Sequence, residues 1–312
     1  MVKFRLIASR LLQTLPVLLG ISLVTFVLIQ IIPGDPVRLL LGPKAAPETV
    51  VVIRARYGLD EPILLQYFIY LKNLLSGDLG RSIVYRAPVL DVIGNRISVS
   101  LFLLLYGLII TLTAVVLLSV MAARKQGSWV DQIVRLICIT GLGLPSYWLG
   151  IMFILLFSLQ LGLFPVSGFG NTFIEHLHHL FLPALTIGVI ATPILTRNLR
   201  AALIEQMMAD YVNAGRSKGL PEDYIFWAHV FRNSLLSTVH LTGVIVSFLI
   251  GGTVVIETVF AIPGLGQLMI AAILGRDYFV IQGVTLIFAL GVVITNLLVD
   301  IASTLIDPRI RQ

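Results

Sequence analysis

Charge is scarce in this chain of 312 residues: Asp, Glu, Lys and Arg make up 12% of it, against 57% hydrophobic residues. A soluble domain carries roughly 25% charged residues, so the composition excludes a protein whose whole surface faces water. Cysteine is almost missing. The single Cys138, inside an apolar run, rules out an internal disulfide and a thiolate metal cluster and reads as a small buried apolar residue. There is no His-Glu-x-x-His, and no Gly-Lys dipeptide, hence no phosphate-binding P-loop. Repeats and low-complexity tracts are also missing. The formal net charge of +6 does not point to nucleic acid, because most Lys and Arg flank apolar runs instead of forming a patch with aromatics.

What is present is a series of apolar runs. A membrane-crossing helix needs about 20 mostly apolar residues. Six segments predict one: Leu11–Ile32, Val99–Ala123, Ile133–Leu159, Leu180–Leu195, Val239–Val259 and Phe279–Ile306, the fourth being the shortest. The first is preceded by basic residues like a signal peptide, but its apolar run of about 22 residues exceeds the 7–15 of a signal h-region. It is read as an uncleaved span. Gly141, Gly143, Pro145 and Pro193 predict kinks that neighbouring helices must accommodate.

Orientation follows from the short loops. Lys3, Arg5 and Arg10 precede the first span, and Arg124 and Lys125 follow the second, with Arg135 beyond. Arg197, Arg200, Arg216, Lys218 and Arg232 lie between the fourth and fifth, and Arg309 and Arg311 follow the sixth. Leu161–His179 contains no Lys or Arg. Alternating spans put all the basic loops on one side, so both termini are expected in the cytoplasm.

The outer segment Pro33–Ser98 is long, and long loops cross the membrane regardless of charge. Within it, "PETVVVIRARYGLD" predicts a short helix stopped by Gly58, and "DEPILLQYFIYLKNLLSGDLG" a second one, started at Pro62 and ended at Ser76-Gly77. "APVLDVIGNRI" starts a third that can run into the second span. The expectation is an external helical cap whose Leu64, Leu65, Phe68, Leu71 and Leu75 either cover the tops of the spans or rest at the membrane interface.

Few residues carry catalytic or binding chemistry. His176, His178 and His179, with Glu175, form an outer cluster that reads either as a divalent-metal site or as polar residues entering the fourth span. Glu257 and Asp300 are ionisable groups inside apolar spans, where charge is costly and functional by default. They read as lining a solute path or as structural groups, with Arg135 a candidate partner for Asp300. Gly251 and Gly252 permit close packing or bending, and Pro263, Gly264 and Gly266 break the chain beyond the fifth span. They read as packing positions or as the hinge or gate of a moving bundle.

One polar stretch, "NAGRSKGLPEDYIFWAHVFRN" (Asn213–Asn233), interrupts the apolar runs. Met207–Gly219 predicts a short helix with Gly219 as its stop and Lys218 in its last turn. Pro221, Glu222 and Asp223 suit the first turn of a second helix. Ala214, Gly215 and Gly219 have little side chain, which would let a partner approach the backbone; the alternative is an amphipathic loop lying on the membrane.

This stretch resembles the cytoplasmic Glu-Ala-Ala loop of ABC-importer permeases, with Asn213, Ala214, Gly215 and Gly219 on the pattern's positions. The chain as a whole resembles the permeases of the dipeptide/oligopeptide/nickel importer family. Nine segments in family order carry the likeness: "IPGDP", "YGLDEP", "GDLGRS", "LPSYW", "DYVNAGRSKGL", "HVFRN", "GGTVVIETVF" with "PGLG", "GRDYFVIQ" and "NLLVDIASTLIDPRIR". It departs from the common pattern at Asn213, Gly215, Ser237, Ile262 and Phe279.

The resemblance implies an all-α integral membrane protein with the six-span type I importer fold. Residues 1–32 would hold the N-terminus and first span, 33–98 the periplasmic cap, and 99–312 the core, with a coupling hairpin at about 200–236. It implies a transport subunit without an ATPase site of its own, in a bacterial inner membrane. Its partners would be a second homologous permease, two cytoplasmic ATPases that bind ATP and Mg, a periplasmic solute-binding protein and membrane lipid. Asn213, Ala214, Gly215, Lys218, Gly219 and Leu220 would meet the ATPase. The solute would be a di- or oligopeptide, glutathione, or nickel or another metal chelate. A stand-alone secondary transporter is the other reading; inverted repeats and midplane ionisable groups, its usual marks, are not seen.

Overall fold

The computed structural model describes residues 14–27, 46–48, 51–52, 54, 60–82 and 84–306. The basic N-terminus, the "IPGDP" segment, most of the first predicted cap helix and the tail after Ile306 lie outside the described residues. The chain divides into two compact units, Met1–Ser100 with Pro263–Val293, and Leu101–Ile262 with Ile294–Gln312.

The first unit contains α1 (Thr14–Val27) and α2 (Ile63–Leu75). α2 turns one face to α1. Its Tyr67 hydroxyl meets that of Ser22 at 2.9 Å, and the Phe26 ring sits 5.4 Å from Tyr67 and 5.9 Å from Tyr70. The opposite face of α2, with Ile63, Leu64, Phe68 and Leu75, is exposed. α3 (Val89–Arg124) begins ten residues before the predicted second span, so the helix started in "APVLDVIGNRI" does run into that span. Near the other end of the chain, α10 (Leu265–Leu274) leads into α11 (Tyr278–Ile306). Val89 and Ile93 of α3 form a core with Leu265, Leu268, Ala272, Val280 and Val284.

The segment between α2 and α3 is fastened by Asp277, which is fully buried ahead of α11. Its carboxylate accepts from the Ser82 hydroxyl and from the backbone N–H of Val84 at 3.0 Å. Gly80 sits at φ +82°, and a Cβ there would lie 2.6 Å from the Phe279 ring. "GDLGRS" and "GRDYFVIQ", distant in sequence, thus form one contact.

The second unit holds the long helices. α4 (Trp129–Leu142) and α5 (Ser146–Phe153), which continues as a π-helix to Gln160, are bent 105° apart. The predicted third span is therefore broken, at Gly143-Leu144-Pro145, where proline removes a helical donor and restricts the residue before it. α6 (Phe173–Met207) is the predicted fourth span, far longer than expected: 35 residues with Pro183 and Pro193 inside. Protein surrounds it, so Thr186, Thr192 and Thr196 are buried along it. It crosses α3 closely. A Cβ on Gly107 would lie 2.8 Å from Ile187, and one on Gly188 2.9 Å from Ile110.

After α6 come α7 (Asp210–Ser217), α8 (Glu222–Ile225), a π-helical stretch Phe226–Phe231, and α9 (Arg232–Val259). Four helices among the described residues are long and apolar enough to cross a membrane, and the bent α4–α5 pair makes a fifth candidate.

Candidate functional site

The hairpin is built by three local devices. α6 ends at Met207, and Ala209 adopts extended backbone, so the predicted helix Met207–Gly219 is instead the end of α6 and a separate α7. The Tyr211 hydroxyl donates to Gln206 Oε1 at 2.8 Å and braces that corner. At the other end, Gly219 at φ +76° closes α7: its N–H donates to the Arg216 carbonyl and that of Leu220 to the Gly215 carbonyl. This is the bond pair of a Schellman closure, which needs a left-handed residue at the Gly219 position. Pro221 then leads into α8, with Glu222 and Asp223 favourably placed in its first turn.

Side chains tie the two arms together. Arg216 grips Glu222 with two hydrogen bonds, of 2.6 and 3.1 Å, and the first of these interactions holds the Glu222 carboxyl below its ordinary range. Gly215 is buried, and a Cβ on it would lie 3.2 Å from Ile225. Its smallness therefore serves contact between the arms. Asn213, Ala214, Lys218, Gly219 and Leu220 are exposed.

The hairpin shares a core with the long helices. Val212, Ile225, Phe226 and Val230 pack with Val115 and Ala123 of α3 and with Leu195, Leu199 and Leu203 of α6. Arg124, the last residue of α3, pairs with Asp223 at 2.9 Å and lies 4.1 Å over the Phe226 ring. Nearby, the Asp131 carboxylate of α4 is held by Arg200 of α6. Arg135 also reaches Asp131, at 3.5 Å, so its carboxylate partner is Asp131 and not Asp300. Asn198 of α6 accepts from Thr238 at 3.2 Å and from Ser237 at 3.4 Å.

Ala214, Gly215, Lys218 and Leu220 line a groove of about 980 Å³ together with His229 and Arg232. Residues 215–219 also spell Gly-x-Ser-x-Gly, the pattern of a nucleophile elbow. That elbow needs a strand-to-helix turn, whereas Ser217 ends a helix and does not line the groove.

The other sequence candidates lie elsewhere. Gly251 and Gly252 fall within an unbroken α9, where a Cβ on either would meet open space, so neither seats another element of this chain. Gly264 caps α10, and the Pro263 break coincides with a boundary between the two units. Glu257 is fully buried, and Asp300 is partly exposed on α11. Two of the departures from the family pattern are packing residues: Ile262 is fully buried, and Phe279 lies against Gly80.

The histidines do not converge on a metal. His176 Nδ1 donates to the Phe169 carbonyl at 2.8 Å, His178 Nε2 to that of Leu163 at 2.9 Å, and His179 Nδ1 to that of Ser167 at 2.9 Å. Each ring braces the loop ahead of α6, and among the described residues no group of three His, Cys, Asp or Glu is placed to share an ion.

Sequence reasoning missed Arg124, Asp131, Arg200, Ser82 and Asp277 as structural keystones. The two arginines were visible only as orientation charges. A lone carboxylate in the first turn of a mostly apolar helix, as at Asp131, was the available signal.

Residues 115–312 match the family described as binding-protein-dependent transport system inner membrane component, and residues 1–104 match the N-terminal region of those membrane components. The chain belongs to this family of ABC-importer permeases. The permease is 41% identical over 309 residues to a Brucella abortus (strain 2308) protein named as a peptide transport system permease, covering 98% of each chain. It is 34% identical over 305 residues, again 98% of each, to the glutathione transport system permease protein GsiC of Escherichia coli (strain K12). The hairpin and its groove fall in the first matched region of the permease, and α1, α2 and the Ser82 segment in the second.

Proposed function

We propose that this chain forms half of the translocation path of an ATP-driven importer for short peptides, glutathione among them. The names of its relatives support that solute class. The observation carrying the mechanical part of the reading is the core shared by Val212, Ile225, Phe226 and Val230 with α3 and α6. A push on the hairpin is delivered to the long helices as movement of one packed body, since close-packed interiors transmit strain.

In this reading α1 is the innermost-numbered of six spans, both termini face the cytoplasm, and the hairpin, at about 200–236, seats on a cytoplasmic ATPase that binds ATP and Mg. A second, homologous permease completes the path, and a solute-binding protein delivers its load from outside. Residues 33–98 form the outer cap, with α2 resting its Leu64, Phe68 and Leu75 face at the membrane interface. The face of α9 that carries Ser237, His240, Val244, Phe248, Gly251, Val255 and Thr258 is exposed along its length at helical spacing. Its Ser237, His240 and Thr258 set polar groups among apolar Val244, Phe248 and Val255, a mixture that suits the wall of a path for short peptides, and in this reading the face lines the path.

The test is reconstitution. Coexpression with a second permease and two ATPases yields a four-subunit core whose ATP hydrolysis rises with peptide-loaded binding protein. Uptake by this chain alone in ATP-free vesicles overturns the reading in favour of a secondary transporter.

A further inference from the structure

The charges of the hairpin are unevenly paired. The two acids of α8 are taken up internally: Glu222 by Arg216 and Asp223 by Arg124. Neither acid lines the groove. Among the described residues the groove is lined by Lys218, Arg232 and His229 and by no carboxylate, together with Leu220, Ile225 and Leu236. Among the described residues Lys218 and Arg232 make no ion pair. Both are exposed. His229 is flanked edge-on by Tyr224 at 5.7 Å and Tyr211 at 6.4 Å.

We propose that this groove receives an acidic segment of the partner ATPase, one that also carries an apolar side chain to meet Leu220, Ile225 and Leu236. The proposal rests on the reading of the hairpin as the ATPase seat, and names the chemistry of what sits there. Like charges gathered in a concave, partly apolar site focus their field outward and favour a partner of opposite sign. Lys218 alone is accounted for by the negative end of α7, whose last turn it caps. Arg232 has no such account, since it lies well inside the continuous helix Glu222–Val259, away from either end. A partner carboxylate reaching both cations neutralises them and adds charge-assisted hydrogen bonds. Lys218 and Leu220 belong to the tip that the reading above seats on the ATPase, so the proposal commits to that protein as the occupant.

The experiment uses the full-length permease in nanodiscs of neutral lipid and measures its affinity for the cognate ATPase. Affinity falls about tenfold for each of Lys218→Glu and Arg232→Glu, as expected for one charged hydrogen bond. It also weakens between 50 and 500 mM salt. The charge-keeping variants Lys218→Arg and Arg232→Lys stay within about twofold of wild type, which separates lost charge from misfolding. Binding that ignores both salt and the reversals overturns the acidic-segment proposal while leaving the seat intact. A wild-type permease that fails to bind the ATPase removes the seat itself. Reversals that matter only when anionic lipid is present reassign the groove to a lipid headgroup and overturn the proposal.

Discussion

Arg200 and Asp131 form a two-bond pair, Nε to Oδ1 at 2.6 Å and Nη2 to Oδ2 at 2.8 Å, with the carboxylate 1% exposed. The N–H of Gly127 adds a third donor at 3.1 Å. This pair joins α4 to α6 beside the hairpin. Removing one partner of a buried pair costs about 3–5 kcal/mol, because the other charge is left uncompensated. Arg200 keeps some exposure, so Arg200→Ala is expected to cost nearer 2–3 kcal/mol. A lowered thermal midpoint in detergent checks this. The exchanged pair Asp131→Arg with Arg200→Asp should recover part of the loss.

Gly219 separates backbone demand from docking. A left-handed residue other than glycine costs about 1–2 kcal/mol, and asparagine tolerates the conformation better than alanine. Gly219→Asn should therefore fold better than Gly219→Ala. Gly219→Trp, placed on an exposed tip, should leave the spans folded and remove stimulation of ATP hydrolysis by the loaded binding protein. Unchanged stimulation by the tryptophan variant sinks the coupling role.

Gly215 and Ile225 should behave as a coupled pair. Gly215→Ala pushes a methyl group against Ile225, and such overpacking costs about 1–3 kcal/mol. Ile225→Val opens space at the same point, so the double variant is predicted to be more stable than the sum of the single losses. Thermal unfolding of the four proteins of the cycle gives the coupling; additive losses contradict the contact.

Ser82→Ala should loosen the clasp on Asp277 by about 1–3 kcal/mol, since a buried acceptor loses a donor. Limited proteolysis after Arg81 or Arg86, faster than in wild type, reports the loosening. Ser82→Thr, which keeps the hydroxyl, should restore most of the protection.

The free face of α2 is predicted to meet lipid. In a Cys138→Ser background, a spin label at Phe68→Cys should be quenched by oxygen more than by a water-soluble nickel chelate. The reverse order contradicts an interfacial position.

The apolar runs of α3, α9 and α11 are legible because a membrane-crossing helix needs about 20 mostly apolar residues. α6 is misread as short for the opposite reason. It is enclosed by protein, and can afford buried threonines whose hydroxyls satisfy the preceding turn, as Thr186 does with the Leu182 carbonyl at 2.8 Å. The Gly143–Pro145 break is visible in sequence, but a bend of 105° is not, because proline says where a helix stops and not where the next one goes. At the hairpin, Gly219 is legible as a stop since its role is local. Gly215 is not, since its neighbour Ile225 lies across the turn. The Ser82–Asp277 clasp spans 195 positions and leaves no periodic trace.

The packing of the hairpin bears on whether such loops can be exchanged between transporters. Val212, Ile225, Phe226 and Val230 are moulded to Leu195, Leu199, Leu203 and Val115, and Arg124 reaches over from α3 to hold Asp223. A chimera that transplants residues 210–233 alone would arrive without its sockets. The transferable module is larger: the loop together with the ends of α3 and α6 that pack against it.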